Sequence, residues 1–166
     1  DCLLSRGLGD VYKRQVIDDV AYICCGDNNG TLVDDLWKFD GSDWKQLRDI
    51  ANNDSDEDYD DDYAITRAGT VSFVIDGRGY IATGTRSGVT SDYWVYDPEE
   101  DLWYGDSDDD YTPMTNVHNV SSGGSSRSYA VSFSTGKRGF VLSGSSGTSY
   151  FDDVYELLPY EQEDVD

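Results

Sequence analysis

The sequence is poor in the residues on which most site chemistry depends. It has one histidine, His118, so no triad or metal set that needs two imidazoles can be drawn from its 166 residues. His118 sits in a Ser/Gly-rich stretch (115–126) and reads as a loop residue. Only 12 Lys and Arg stand against 34 Asp and Glu, a formal charge of −22. A field of that sign repels phosphate backbones and anionic lipid, which argues against nucleic-acid and membrane-surface roles. No apolar run approaches the roughly 18 residues of a membrane-spanning helix. There are three cysteines, Cys2 and the adjacent Cys24 and Cys25. Neighbours on a strand face opposite sides, so Cys24 and Cys25 read as small buried apolar residues and not as a disulfide. The cysteines therefore give no disulfide framework. "GDNNGT" (26–31) is turn chemistry with no helix after it, so no phosphate-cradling glycine loop is present either.

What is abundant is aromatic and small. Thirteen Tyr, four Trp and 17 Gly suit strands and tight turns better than helices. The arrangement is repetitive. "SFVIDGRGYIATG" (72–84) overlays "SFSTGKRGFVLSG" (132–144), so Ser72, Phe73, Gly79, Tyr80 and Gly84 fall on Ser132, Phe133, Gly139, Phe140 and Gly144. Arg67 and Arg127 share the same spacing. A third copy, "VIDDVAYICCG" (16–26), places Tyr22 and Gly26 against Tyr80 and Gly84. After each glycine come a polar turn and an aromatic strand: "DDLWKFD" (34–40), "SDYWVYD" (91–97) and "DDVYELL" (152–158). A second tryptophan follows in two copies, Trp44 and Trp103. Such a period is the mark of a repeat architecture.

Each unit reads as four short strands, and their alternation is informative. In "DYWVYD", Trp94 and Tyr96 point one way while Tyr93 and Val95 point the other, and both faces are bulky. A sheet with one wet face alternates apolar with polar. Bulk on both sides implies sheets stacked face to face around an axis, an all-β propeller. Small residues at 68–72 suit an inner strand near that axis. The units are 16–66, 67–126 and 127–166. The first lacks the start of its inner strand, and the third lacks the second tryptophan and with it an outer strand. The fold expected is an open arc of about three four-stranded antiparallel blades, the end ones incomplete. Its outer faces should be apolar and exposed, since repeat units bury such faces only against neighbours. Instability or self-association on its own is the corresponding expectation.

At these residues the chain resembles the kelch-repeat family, over about residues 16–158. "YDPEEDLW" (96–103) is similar to that family's tyrosine–aspartate–proline turn leading to tryptophan. The family usually carries a glycine pair at the end of the second strand, whereas the copies here read "CCG", "ATG" and "LSG". One glycine can still supply the left-handed residue that the turn needs. The units also exceed the kelch period of roughly 50 residues. Acidic kelch chains with long loops are similar to cell-envelope proteins of gut-type Bacteroidetes, which points to an extracytoplasmic bacterial setting. "SRGLGDVYKRQ" (5–15) resembles an in-frame translation of a sequencing-library adapter. On that resemblance residues 1–15 are a non-native segment outside the fold, and the native chain is cut at Val16.

Two features are candidates for a site. Asp54, Asp56, Asp58, Asp60 and Asp62 alternate in "DSDEDYDDDY" (54–63), and "DSDDDY" (106–111) follows the second tryptophan of the next unit. Hard oxygen ligands at that density could hold calcium. The EF-hand pattern is absent, and a solvated, self-repelling loop accounts for the same residues. Arg67 and Arg127 begin inner strands near the channel mouth. They could grip a carboxylate or an anionic sugar, or pair with aspartates of neighbouring loops and tie blade to blade. The resemblance to kelch-type sialic-acid mutarotases implies an active-site role for that position. The copper site of galactose-oxidase-type kelch enzymes needs two histidines and a cysteine-linked tyrosine, which this chain cannot assemble alone. No nucleophile–His–acid set is visible. The function expected is a non-catalytic scaffold that binds a protein or glycan, without a cofactor and alongside the remaining blades of a longer chain. The alternative is part of a glycan-active propeller enzyme that uses the channel arginines.

Overall fold

A computed structural model describes residues 13–50, 65–105 and 125–157, and every regular element among them is a strand. The first sheet is formed by β1 (Lys13–Ile17), β2 (Val20–Cys24), β5 (Leu36–Phe39) and β6 (Trp44–Gln46), in that order. The second holds β7 (Val71–Ile75), β8 (Arg78–Thr85), β9 (Val89–Asp97) and β10 (Leu102–Gly105), again in chain order. The third holds β11 (Val131–Ser134), β12 (Gly139–Leu142) and β15 (Val154–Leu157). All pairings within these sheets are antiparallel. Two ribbons complete the set: β3 (Asp27–Asn28) with β4 (Thr31–Leu32), and β13 (Ser145–Ser146) with β14 (Ser149–Tyr150). In the second unit the same ribbon is continuous with β8 and β9, which shift register between Ala82 and Gly84.

The three repeats are thus three meandering blades, and the third has no fourth strand among the described residues. One expectation is corrected. Lys13, Arg14 and Gln15 are not outside the fold, because they pair with Cys24, Ile23 and Tyr22 and give the first blade its inner strand. Gln15 also crosses to the next blade, its side-chain amide donating to the Ser72 carbonyl at 2.8 Å. Three extended residues need only main-chain partners and a tolerant surface to add to a strand, whatever their origin. Residues 1–12 lie outside the described residues.

Burial on both faces of the second sheet follows the alternation in the sequence. Tyr93 and Val95, with Phe73 and Tyr80, face the third blade and share a core with Ala130, Val141 and Leu157. Trp94 and Tyr96, with Ile81 and Trp103, face the first blade and share a core with Cys24, Leu36, Ile50 and Ile65. Gly139 is required by this packing, because a Cβ there would overlap the Phe73 ring. Main-chain bonds also cross between blades. Gly26 N–H donates to the Arg67 carbonyl (3.0 Å), and Gly84 N–H donates to the Arg127 carbonyl (2.8 Å).

The second strands end in a shared irregularity. Gly26, Gly84 and Gly144 have φ of 125°, 104° and 95°, as the single glycine of each copy requires. At Gly84 a Cβ would lie 2.8 Å from the Ala68 carbonyl oxygen. The residues before them, Cys25, Thr83 and Ser143, are also left-handed, at 60°, 60° and 56°. That conformation is costly for a β-branched residue such as Thr83. It also corrects the reading of the cysteines. Cys25 has left the strand, so both side chains enter the same core between blades one and two. A hydrogen bond with the Cys25 thiol, reinforced by burial, raises the Cys24 thiol well above its usual range.

Candidate functional site

The two arginines singled out by the repeat are the largest fully buried side chains among the described residues. Arg67 stands at the entry to the second blade, and its guanidinium is directed inward. Nη1 and Nη2 donate to Asp92 Oδ1 and Oδ2 at 2.9 and 2.8 Å, a bidentate pair. Nε donates to the Ile65 carbonyl and Nη1 to the Thr83 carbonyl, each at 3.0 Å. Arg127 repeats the pattern in the third blade. It donates to Asp153 at 2.5 and 3.1 Å, to the Ser125 carbonyl at 3.1 Å and to the Ser143 carbonyl at 2.9 Å. Its guanidinium carbon also lies 4.4 Å from the Phe151 ring centre and 4.8 Å from that of Tyr155, within cation–π range.

The geometry explains the left-handed residues. Turning Thr83 and Ser143 out of the strand aims their carbonyls at the guanidinium. A buried carbonyl without a donor is costly, and the arginine supplies one. The ion pairs lie within a blade, so they differ from the tie between neighbouring blades expected from the sequence. The tie is made instead by the carbonyls of the same two arginines, which accept from Gly26 and Gly84 of the preceding blades.

The aspartates were not singled out in the sequence. A signal for them was available, because Asp35, Asp92 and Asp153 each stand two residues before the aromatic of the third strand. Asp92 also accepts from the Trp94 indole (3.2 Å), and Asp35 accepts from the Trp37 indole at 2.7 Å. Burial works to raise the Asp92 carboxyl, but the hydrogen bonds and charge of Arg67 outweigh it, with Thr90 and Trp94 adding to the effect. The group is held below the usual carboxylate range and stays ionised. Hydrogen bonds from Arg127 act in the same direction on Asp153.

The blades leave a second set of groups exposed. β3–β4, the Arg86–Gly88 turn and β13–β14 occupy the same place in each repeat, between second and third strands. Because Gly26 bonds to Arg67 and Gly84 to Arg127, the bases of these ribbons sit beside one another. The tips of the first two carry exposed Asn29, Arg86 and Ser87, and the base of the third carries Tyr150, which is 86 % exposed. Among the described residues no group of three or more His, Cys, Asp or Glu is placed to hold a metal. The calcium candidates Asp54, Asp56, Asp58, Asp60 and Asp62 lie outside the described residues, as do the 106–111 run and His118.

No protein family is matched by the sequence as a whole or in part, and no curated protein matches it. Solved structures do match. One, the structure of YjhT, superposes with a TM-score of 0.53 at 19 % identity, over 81 % of this chain and 34 % of that one. The chain therefore spans about a third of that structure's length, and the likeness concerns the fold. Together with the three stacked antiparallel sheets, it identifies the chain as a run of β-propeller blades.

Proposed function

We propose that the chain is part of a kelch-type binding scaffold whose ribbons recognise a protein or a glycan. The observation that carries this reading is the state of the two arginines. Each guanidinium is fully buried, has a carboxylate of its own blade as counter-ion, and has carbonyls at its remaining donors. A residue so engaged organises the blade and has few donors left for a sugar carboxylate. The groups open to a partner are on the ribbons, where tyrosine, asparagine, serine and arginine are well suited to adaptable recognition. The kelch resemblance and the acidic composition support a cell-envelope setting for such a scaffold.

The enzyme reading makes a different prediction, since a sialic-acid mutarotase would speed anomeric exchange. The test is a glycan array and a capture experiment with bacterial surface proteins, each run on the chain and on an Arg86→Ala/Tyr150→Ala variant. Binding that the variant loses without a change in melting temperature supports the scaffold. Absence of binding, with accelerated anomerisation of free sialic acid followed by NMR, overturns it.

A further inference from the structure

The tip of the first ribbon brings together groups that can react with one another. β3 and β4 pair through Asp27 with Leu32 and Asn28 with Thr31, so the loop between them is Asn29–Gly30 alone. Their φ angles of 54° and 90° are those of a type I′ turn. Both residues are exposed, and the space beside Gly30 is open, with no atom within 4 Å of where a Cβ would stand. The Gly30 N–H donates to Asp27 Oδ1 at 2.6 Å. The Asn29 carboxamide is held more weakly, its Nδ2 lying 3.5 Å from Asn28 Oδ1.

We propose that Asn29 is a self-modifying site, at which the chain converts its own carboxamide to a carboxylate without an enzyme. The Gly30 main-chain nitrogen is the nucleophile and Asn29 Cγ the electrophile. Their bond closes a five-membered succinimide ring as the Cγ–Nδ2 bond breaks. The proton leaves Gly30 N–H for the Asp27 carboxylate and is passed on to Nδ2, which departs as ammonia. Water then adds to one of the ring carbonyls and opens the ring, giving aspartate or isoaspartate at this position. Nothing is oxidised or reduced, and water is the co-reactant. An amide nitrogen is a poor nucleophile until its proton is taken, so an acceptor already within hydrogen-bond reach supplies what the step needs. Glycine after the asparagine leaves the approach to Cγ clear, since it has no side chain to crowd the forming ring.

Asp40–Gly41 and Asp76–Gly77 could close the same ring, but both are poorer substrates. A carboxylate resists attack more than a neutral amide does. Asp40 Oδ1 is also fixed by the Ser42 and Asp43 N–H groups, and the Asp76 N–H is tied to the Gly136 carbonyl of the third blade. The first ribbon, by contrast, is so short that its tip opens readily to the attacking geometry. The product adds a negative charge at the tip. In the isoaspartate form it also adds a methylene to the main chain, which the two-residue turn does not accommodate. This chemistry belongs to the ribbon itself and stands whichever ligand the ribbons take.

Peptide mapping by mass spectrometry tests the proposal on the whole chain, kept folded in mildly alkaline buffer and sampled over weeks. The expected result is release of ammonia and an Asn29 peptide heavier by the exchange of amide for acid, divided between aspartate and isoaspartate forms. The Asp40 and Asp76 peptides should stay unchanged. Asp27→Asn keeps an oxygen that accepts from the Gly30 N–H but cannot take its proton, so it should slow the conversion about tenfold or more at an unchanged melting temperature. Should that variant fail to fold, Gly30→Ala decides, because the added methyl hinders ring closure and should slow the conversion as well. A folded chain that keeps its Asn29 carboxamide overturns the proposal, as does conversion that occurs only in urea or isoaspartate that appears first at Asp40 or Asp76. So does a rate in folded Asp27→Asn, or in Gly30→Ala, equal to or above that of the parent chain.

Discussion

Replacing Asp92 with alanine isolates the clasp at the entry of the second blade. The variant removes two charge-assisted hydrogen bonds and leaves the Arg67 guanidinium, fully buried, with neutral partners that include the Ile65 and Thr83 carbonyls and the Thr90 hydroxyl. Breaking a buried pair from one side costs about 3–5 kcal/mol. The Asp92 side chain is 29 % exposed, so water reaching the vacated position moderates the loss, and about 3 kcal/mol is the working figure. For a chain of this length that corresponds to a fall in melting temperature of roughly 6–12 °C. Urea unfolding read by tryptophan fluorescence is the assay, because the Trp94 indole donates to the same carboxylate. Arg67→Met should also destabilise, since the Ile65 and Thr83 carbonyls lose their donor. The double variant no longer holds an unpaired charge, so it should fall short of the sum of the single losses by about 3 kcal/mol. Additivity within about 0.5 kcal/mol would refute the clasp as an energetic unit. So would a loss from Asp92→Ala smaller than that from Asp153→Ala, whose carboxylate is the more exposed of the two.

Acid should unfold the chain through the same carboxylates. Asp92 and Asp153 are held below their ordinary values, and Asp40, whose carboxyl accepts from the Ser42 and Asp43 N–H groups, is held down to about 2. Their contribution is complete above the unfolded carboxylate pKa of about 3.9 and is lost as pH falls through the folded values. The urea midpoint should therefore be flat above about pH 5 and drop below about pH 4, with a shallower drop in Asp92→Asn. Thr83→Gly should stabilise by about 1 kcal/mol, because it relieves a left-handed β-branched residue and removes a buried hydroxyl that has no partner. A lower urea midpoint for this variant would count against strain at the bulge. Gly139→Ala should cost about 1–3 kcal/mol through collision with the Phe73 ring, measured in the same way, and Phe73→Leu should recover part of it.

The repeat and its double-sided alternation were legible because they are properties of side-chain order alone. Tyr93, Trp94, Val95 and Tyr96 in succession admit no wet face, and all four are buried. The boundaries at the first blade were not legible, because strand addition depends on main-chain partners. Lys13, Arg14 and Gln15 carry no strand pattern yet pair with β2. Arg67 and Arg127 were found by their spacing, but their direction was not. A residue at the mouth of a channel can turn either way, and the deciding partners are the carbonyls of Thr83 and Ser143. Those carbonyls turn inward only because a residue that is not glycine accepts a left-handed conformation. The kelch pattern, with two glycines there, gives no hint of that strain.

The clasp then explains why a polar device recurs where apolar residues would pack. A buried ion pair adds little net stability over a hydrophobic replacement of the same volume, so energy alone does not account for it. What the arginine does is join three places that are otherwise independent: the segment entering the blade, the bulge that ends the second strand, and the start of the third. Its own carbonyl accepts from the glycine beside the bulge of the preceding blade. The second and third blades are thereby each locked internally by the residue whose carbonyl also holds the preceding blade. Repeats this similar could pair their strands in a shifted order with nearly equal burial. A bidentate pair tolerates no such shift, because a displaced aspartate leaves a charge buried alone. The first blade carries the equivalent aspartate, Asp35, bonded to its tryptophan indole.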